Sequence, residues 1–399
     1  MTSQQPVTMT TDTASHLMYT GNMTSLYDNT TASTTADPYG TMKNYTLFRV
    51  VLVINEYYLW VIFALGFPGN GMSLLTILRM PTVSSSKMHV ALLAVVDNCA
   101  ILSKLLIHQL TGNDVHLGNA GCKIMLFCGN FFSILASWIL VAMTLERFIA
   151  VWFPLKVSRI YSKKTATMVL ISFCVLTFCL NAVYLWIAKE AHNGNVMVCG
   201  FYEEYSTFMK YYWPWADALA FAIIPCLLVL VSNTLIIINV QMSSKKQRHL
   251  TNNFDQSSRR MRDQQQITTM LIVISVMFLV LMLPNSIFYI IKDHWHFTKN
   301  SYEHVKFHFT KQFIHVLSDF NHAVNFYLYF LSMATFRRRF LDTICCRRPT
   351  KKPKGANSSV FKTSHSYVSF HSTQSNLKAR GDVHHSHSLT NVSDVSSEV

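Results

Sequence analysis

The chain has 399 residues; 50% are hydrophobic, 13% aromatic and only 14% charged, and the formal net charge is +14. A chain so apolar and so poor in charge is not an ordinary soluble protein. The basicity raises nucleic acid as a partner, and the placement of the basic residues, described below, argues against it.

The first 46 residues are polar and Thr-rich, with sequons at Asn22, Asn29 and Asn44, as expected of a disordered, glycosylated extracellular tail over 1–49. No basic-then-apolar signal peptide precedes the first apolar run, so that run is expected to act as the signal anchor. Seven apolar runs follow, at 50–78, 88–111, 120–150, 165–188, 210–241, 267–291 and 311–333. Each meets the need for roughly 20 helical residues to cross ~30 Å of hydrocarbon. The fold class expected is an all-α membrane protein, a seven-transmembrane helix bundle over 50–333. The seventh run is the weakest, because His315, Asp319 and His322 interrupt it, and hydropathy alone leaves six spans open.

Lys and Arg gather after runs one, three, five and seven: Arg79 and Lys87; Lys156, Arg159, Lys163 and Lys164; Lys245 to Arg262; Arg337 to Arg339. The loop around Asn113 to Gly118 has none. This asymmetry makes the basic segments cytoplasmic and leaves the N-terminus outside, so the charge reflects topology in a plasma membrane rather than nucleic-acid binding.

Of nine cysteines, Cys122 opens run three and Cys199 precedes run five. Both face the oxidising side, and a disulfide between them is the leading reading. Cys345 and Cys346 lie beyond run seven, as palmitoylation sites or as plain thiols.

Ordered motifs then carry a resemblance. Run one contains GFPGNGMSLL with Asn70, run two ALLAVVDNCA with Asp97, and run three ends in LERFIAVWFPLK. Run five contains AIIPCLLVLVSN, run six FLVLMLP and run seven NHAVNFYLYF. Across about residues 48–346 the chain resembles the rhodopsin-like, class A, G-protein-coupled receptors. The resemblance implies a receptor, not an enzyme, that signals through a heterotrimeric G protein and is regulated by receptor kinase and arrestin. It makes Glu146 and Arg147 an activation switch, in which Arg147 pairs with Glu146 at rest and leaves it on activation. An Arg near the inner interface is costly unless paired, so the switch is physically sensible; a charge pair that only marks the membrane edge is the alternative. Phe278, Pro284, Asn325 and Tyr329 complete the switch set.

The departures from the family pattern are Gln264 for a span-six acid, Phe326 for the span-seven proline, Met282 for the span-six tryptophan and Asn233 for a span-five tyrosine. Span four has no Trp near Phe173. Asp97 resembles the family's sodium-binding carboxylate, with Asn321 and Asn325 as oxygen neighbours, but the usual span-three serine falls on Ala136. A sodium site and a hydrogen-bonded buried aspartate both remain open; no other cofactor is expected.

The amine-receptor aspartate falls on Gly129 and the retinal lysine on Asp319, which excludes amines and retinal as ligands of those kinds. The remaining pocket candidates are Lys104, His108, Asp217, His315 and Asp319, with Lys104 and His108 sharing a helix face. Lys104 is expected to pair with Asp319, leaving Asp217 for a cationic ligand; purely internal ion pairs are the alternative. Glu203 and Glu204 lie among aromatics after Cys199, as an acidic pocket entrance or as a solvated loop face. An extracellular peptide with Arg or Lys and aromatic residues suits such a site, and the chain resembles invertebrate neuropeptide receptors of the FMRFamide-like type.

In SMATFRRRFLDTICC, residues 332–346, the part over 334–346 reads as an amphipathic helix on the lipid surface, with Arg337 to Arg339 facing anionic lipid. The tail over 347–399 is Ser/Thr-rich and expected to be disordered, with Ser364, Ser366, Ser369, Ser372, Thr373 and Ser375 as phosphorylation candidates or as unregulated disorder. The rival functions are a receptor for a lipid or small chemosensory ligand, and a transporter or channel, against which the absence of a sequence repeat argues.

Overall fold

The computed structural model describes residues 41–80, 85–113, 115–193, 196–248, 255–298 and 300–345. Asn22, Asn29, Cys346 and the six phosphorylation candidates lie outside the described residues.

Seven long helices follow one another: α1 (Thr46–Leu78), α2 (Ser85–Gly112), α3 (Gly118–Trp152), α4 (Lys163–Ile187), α5 (Ile224–Arg248), α6 (Asp255–Ile291) and α7 (Tyr302–Ser332). A short α8 (Ala334–Ile344) completes the bundle. Between α4 and α5 an antiparallel hairpin pairs β1 (Ala188–Asn193) with β2 (Val196–Phe201). Among the described residues six helices are long and apolar enough to cross a membrane. α7 is not among them, for its polar residues turn inward.

The bundle is apolar outside as well as inside. Val61 and Leu65, Ile171 and Val175, Leu227 and Val231, and Val276 and Val280 are exposed pairs spaced i,i+4 on outward faces. Such stripes are stable only against hydrocarbon. The main core lies between α2, α3, α5, α6 and α7, around Ile139, Leu140, Phe278, Met282 and Tyr329.

Helix ends follow their capping residues. Ser162 accepts from Thr165 N at the start of α4, and Ser301 from His304 N at the start of α7. α1 begins at Thr46, ahead of the expected 50. Met42 and Phe48 are buried with Leu52 against Val305 of α7, so the stretch before position 50 is packed rather than part of a loose tail. Asn44, the third sequon, sits in the one-turn helix Met42–Asn44. α6 starts at Asp255, ahead of the expected 267, because its polar first turns continue the helix beyond the apolar stretch.

The glycines of GFPGNG bring α1 against α2 and α7. A Cβ on Gly66 would stand 2.6 Å from Ile101 Cδ1 and 2.9 Å from Ala323 Cβ. Buried Asn70 then donates to Asn98 Oδ1 at 3.1 Å and to His322 O at 3.0 Å, joining the same three helices.

Before α5 the chain passes through a π-helical turn, Leu219–Ile223, in which Ile224 N donates to Leu219 O. The next donor in that pattern would be residue 225, a proline without an N–H. The freed Ala220 carbonyl instead accepts from Trp138 Nε1 of α3 at 3.1 Å. The Trp138 ring also packs at 4.9 Å on Phe173 of α4, so α3 supplies the tryptophan that span four lacks.

Phe326, in place of the family's proline, leaves α7 an uninterrupted helix to Ser332. Its ring sits 5.2 Å from Phe340 and 6.2 Å from Phe336, and so anchors α8. Arg79 Nη1 donates to Thr343 O at 2.8 Å and fixes the other end of α8.

Candidate functional site

Three polar clusters occupy the bundle. The first lines a cavity at the hairpin end. The hairpin is held there by the Cys122–Cys199 disulfide, with a Cα–Cα distance of 5.3 Å. Glu190 of β1 adds a clasp, its Oε1 accepting from Leu117 N at 2.9 Å and Gly118 N at 3.1 Å. Gly118 takes a φ of +65°, which glycine alone adopts without strain.

Below this clasp Lys104 of α2 and Asp319 of α7 form an ion pair at 2.5 Å, and Tyr58 of α1 donates to Asp319 Oδ2 at 3.4 Å. The pair lines an open cavity of about 920 Å³, together with His108, Gly129, Asn130, Gln312, His315 and Asp217. A Cβ on Gly129 would come no nearer than 3.9 Å, to Lys104 Cγ, so the missing side chain leaves room beside the lysine stem. His315 is fixed by Tyr289, whose hydroxyl lies 3.0 Å from its Nε2.

A second cavity, about 660 Å³ with its open mouth, is walled by Tyr184, Phe201, Trp213 and Tyr289. Trp213 Nε1 donates to Tyr184 OH at 2.8 Å, which sets those two rings edge to face. Asp217, Asn130 and Leu126 line both cavities. Among the described residues no hydrogen bond or ion pair ties the half-buried Asp217.

Glu203 and Glu204 do not join this site. They lie in the exposed turn Glu203–Tyr205 after β2, and neither lines either cavity, which places them as the solvated loop face of the two readings. The turn carries its charged residues to solvent while Tyr205 faces the hairpin packing.

The second cluster surrounds Asp97, whose side chain is fully buried. His322 Nδ1 lies 2.8 Å from Oδ1, and Asn325 Nδ2 donates to Oδ2 at 2.8 Å. Among the described residues no hydrogen bond joins Asn321 to Asp97. Beside it, Phe278 and Met282 are buried, and Ser318 Oγ donates to Met282 Sδ at 3.6 Å. Pro284 lies inside α6, two residues further on.

The third cluster holds the Glu146–Arg147 pair at the α8 end of α3. Ser86 Oγ donates to Glu146 Oε1 at 2.9 Å and accepts from Arg147 Nη2 at 2.6 Å. Fully buried His89 places Nδ1 3.0 Å from Glu146 Oε2 and Nε2 3.4 Å from the Tyr161 hydroxyl. A carboxylate accepts only, so Nδ1 carries the proton and Nε2 accepts from Tyr161. Burial, and after it the Glu146 charge, push the Tyr161 phenol up, which keeps it a neutral donor. Among the described residues Glu146 is therefore held by hydrogen bonds from His89 and Ser86. Glu146 and Arg147 meet through Ser86 rather than directly.

Sequence reasoning named neither Ser86, His89, Tyr161 nor Tyr58, and it read His322 only as an interruption. One signal was available: Ser86 and His89, like His322 and Asn325, are spaced i,i+3 and so share a helix face.

The chain matches known proteins along the same helices. Residues 69–329 match the model of the 7 transmembrane receptor (rhodopsin family). Melanin-concentrating hormone receptor 1 of Macaca mulatta and that of Rattus norvegicus are each 28% identical over 148 residues, which cover 34% of this chain and 40% of theirs. The chain thus spans about two fifths of the length of these relatives, which are not receptors of the FMRFamide-like type. The family match runs from the GNG of α1 to Tyr329 of α7 and covers more than half of the chain, so the protein belongs to the rhodopsin family of seven-transmembrane receptors, a multi-pass membrane receptor and not an enzyme.

Proposed function

We propose that the receptor is activated by an extracellular peptide carrying a cationic group, and that it catalyses nucleotide exchange on a heterotrimeric G protein. The observation that carries this reading is Asp217. It is the one acidic residue lining both cavities, and among the described residues no hydrogen bond or ion pair is made to it, although the Lys104 charge reaches it. Asp319 is already matched by Lys104, so a guanidinium or ammonium entering the cavity meets a carboxylate whose own partner is the ligand. The aromatic wall of Tyr184, Phe201, Trp213 and Tyr289 suits a neighbouring aromatic side chain. Peptides ending in Arg-Phe-amide combine both chemistries. The hormone receptors among the relatives agree with a messenger ligand.

In this reading the hairpin end and the N-terminus face outward, with glycans on Asn22, Asn29 and Asn44. The Glu146–Arg147 cluster faces the G protein, and α8 rests on the inner leaflet with palmitate on Cys345 and Cys346. Receptor kinase and arrestin act on the Ser364–Ser375 cluster. The test is a panel of amidated peptides beside a lipid panel, read by calcium and cAMP in cells expressing the chain. Activation by Arg- or Lys-bearing peptides supports the reading; activation confined to lipids, or solute flux through the purified protein without a G protein, overturns it.

A further inference from the structure

The Asp97 carboxylate offers both oxygens to N–H groups of α7: Oδ1 to His322 and Oδ2 to Asn325, each at 2.8 Å. A hard monovalent cation needs that carboxylate together with further oxygen donors. The positions that the family's pattern uses do not provide them. Ala136 presents a methyl group, and the Ser137 hydroxyl donates to Ser133 O at 3.4 Å along its own helix. Asn325 turns its amide nitrogen, not its oxygen, toward Asp97. His322 is 1% exposed, so it has no solvent to turn into if a cation took its place. Its backbone is also held, since Asn70 of α1 donates to His322 O at 3.0 Å.

We propose that His322 is the built-in partner of Asp97 and that this receptor takes no sodium ion at that carboxylate. Where the family's pattern provides for a mobile cation between helices, this chain supplies a fixed imidazole N–H from α7. The clamp between α2 and α7 is then independent of salt identity, and His322 is a positioning residue for both Asp97 and Asn325. The argument rests on the buried pair alone and is independent of the ligand reading of Asp217.

The test uses the purified full chain without ligand or G protein, so that its outcome is separate from any failure of the peptide proposal. Thermal unfolding is followed in sodium chloride and in choline chloride at equal ionic strength. A cation that binds only the folded state raises Tm as its concentration rises above its dissociation constant. The expected result is the same Tm in both salts for the wild type. The double variant Ala136→Ser/His322→Ser, which restores oxygen donors, is expected to show a saturable sodium-specific rise of several degrees. A saturable sodium-specific rise in the wild type that disappears in Asp97→Asn overturns the proposal. So does a His322→Ala variant whose Tm and salt response both equal those of the wild type.

Discussion

His89 Nδ1 lies 3.0 Å from Glu146 Oε2, so the acid of the Glu146–Arg147 pair is held by a histidine of α2. Ser86, one turn earlier on α2, donates to the other oxygen and accepts from Arg147. Ser86 and His89 both donate to the Glu146 carboxylate, and Arg147 rests on the Ser86 hydroxyl that this carboxylate orients. Gln264 cannot add a second acid, since its side chain is neutral at any physiological pH. The restraint on Arg147 therefore runs through α2 as well as through its sequence neighbour.

Removing either member of this chain is expected to raise basal signalling. Glu146→Ala frees both Ser86 and Arg147, while His89→Phe keeps the ring volume but removes the donor. A lost hydrogen bond to a charged group is worth about 1 to 3 kcal/mol, and 1 to 2 kcal/mol shifts a two-state ratio by roughly 5- to 30-fold. Basal nucleotide exchange at matched surface expression measures it. Unchanged or lower exchange in both variants refutes the restraint.

The Lys104–Asp319 pair should behave as a structural unit. Lys104→Met alone leaves a part-buried carboxylate, and Asp319→Leu alone leaves a part-buried ammonium; breaking a buried pair from one side costs on the order of 3–5 kcal/mol. The double substitution Lys104→Met/Asp319→Leu removes both charges and is expected to recover most of the lost stability. Thermal unfolding of the four proteins forms a double-mutant cycle. Additive losses, with no recovery in the double variant, show that the pair is not coupled.

Close approach of α1 to α2 and α7 depends on Gly66. A Cβ there meets Ile101 Cδ1 and Ala323 Cβ well inside contact distance, whereas one on Gly71 meets nothing within 4 Å. Gly66→Ala is expected to lower stability by about 1–3 kcal/mol through overpacking. Gly71→Ala should be neutral or slightly stabilising, since it removes a helix-destabilising glycine. Equal effects at the two positions would mean that helix propensity, not packing, decides.

The bundle was legible because hydrocarbon imposes its length and polarity on each run, and the family motifs order the runs. Lys104 and Asp319 were legible as partners because an intramembrane charge requires one. The weak hydropathy of α7 has the same cause: Asp319 serves Lys104, His315 serves Tyr289, and His322 serves Asp97. Those partners lie on other helices, more than 200 residues away for Lys104 and Asp97, and no local spacing announces them. Glu146 and Arg147 are neighbours in sequence, which made a direct pair the natural expectation. Helix geometry points consecutive side chains about 100° apart, so a third residue, Ser86, is needed to join them. For Glu203 and Glu204 the sequence left an acidic entrance and a solvated loop face open, because composition cannot tell which side of a turn faces a cavity.

The central claim, that a cationic peptide group is read by Asp217, is tested most directly by one comparison. The potency of an Arg-bearing amidated peptide agonist and of its citrulline analogue is measured on the wild type and on Asp217→Asn, by nucleotide exchange on purified G protein. Citrulline keeps the shape of arginine and removes its charge. The expected result is that Asp217→Asn lowers the potency of the arginine peptide by about 10-fold or more, about 1.4 kcal/mol, while the citrulline analogue changes little. Equal losses for both peptides would contradict the claim and assign Asp217 to packing alone.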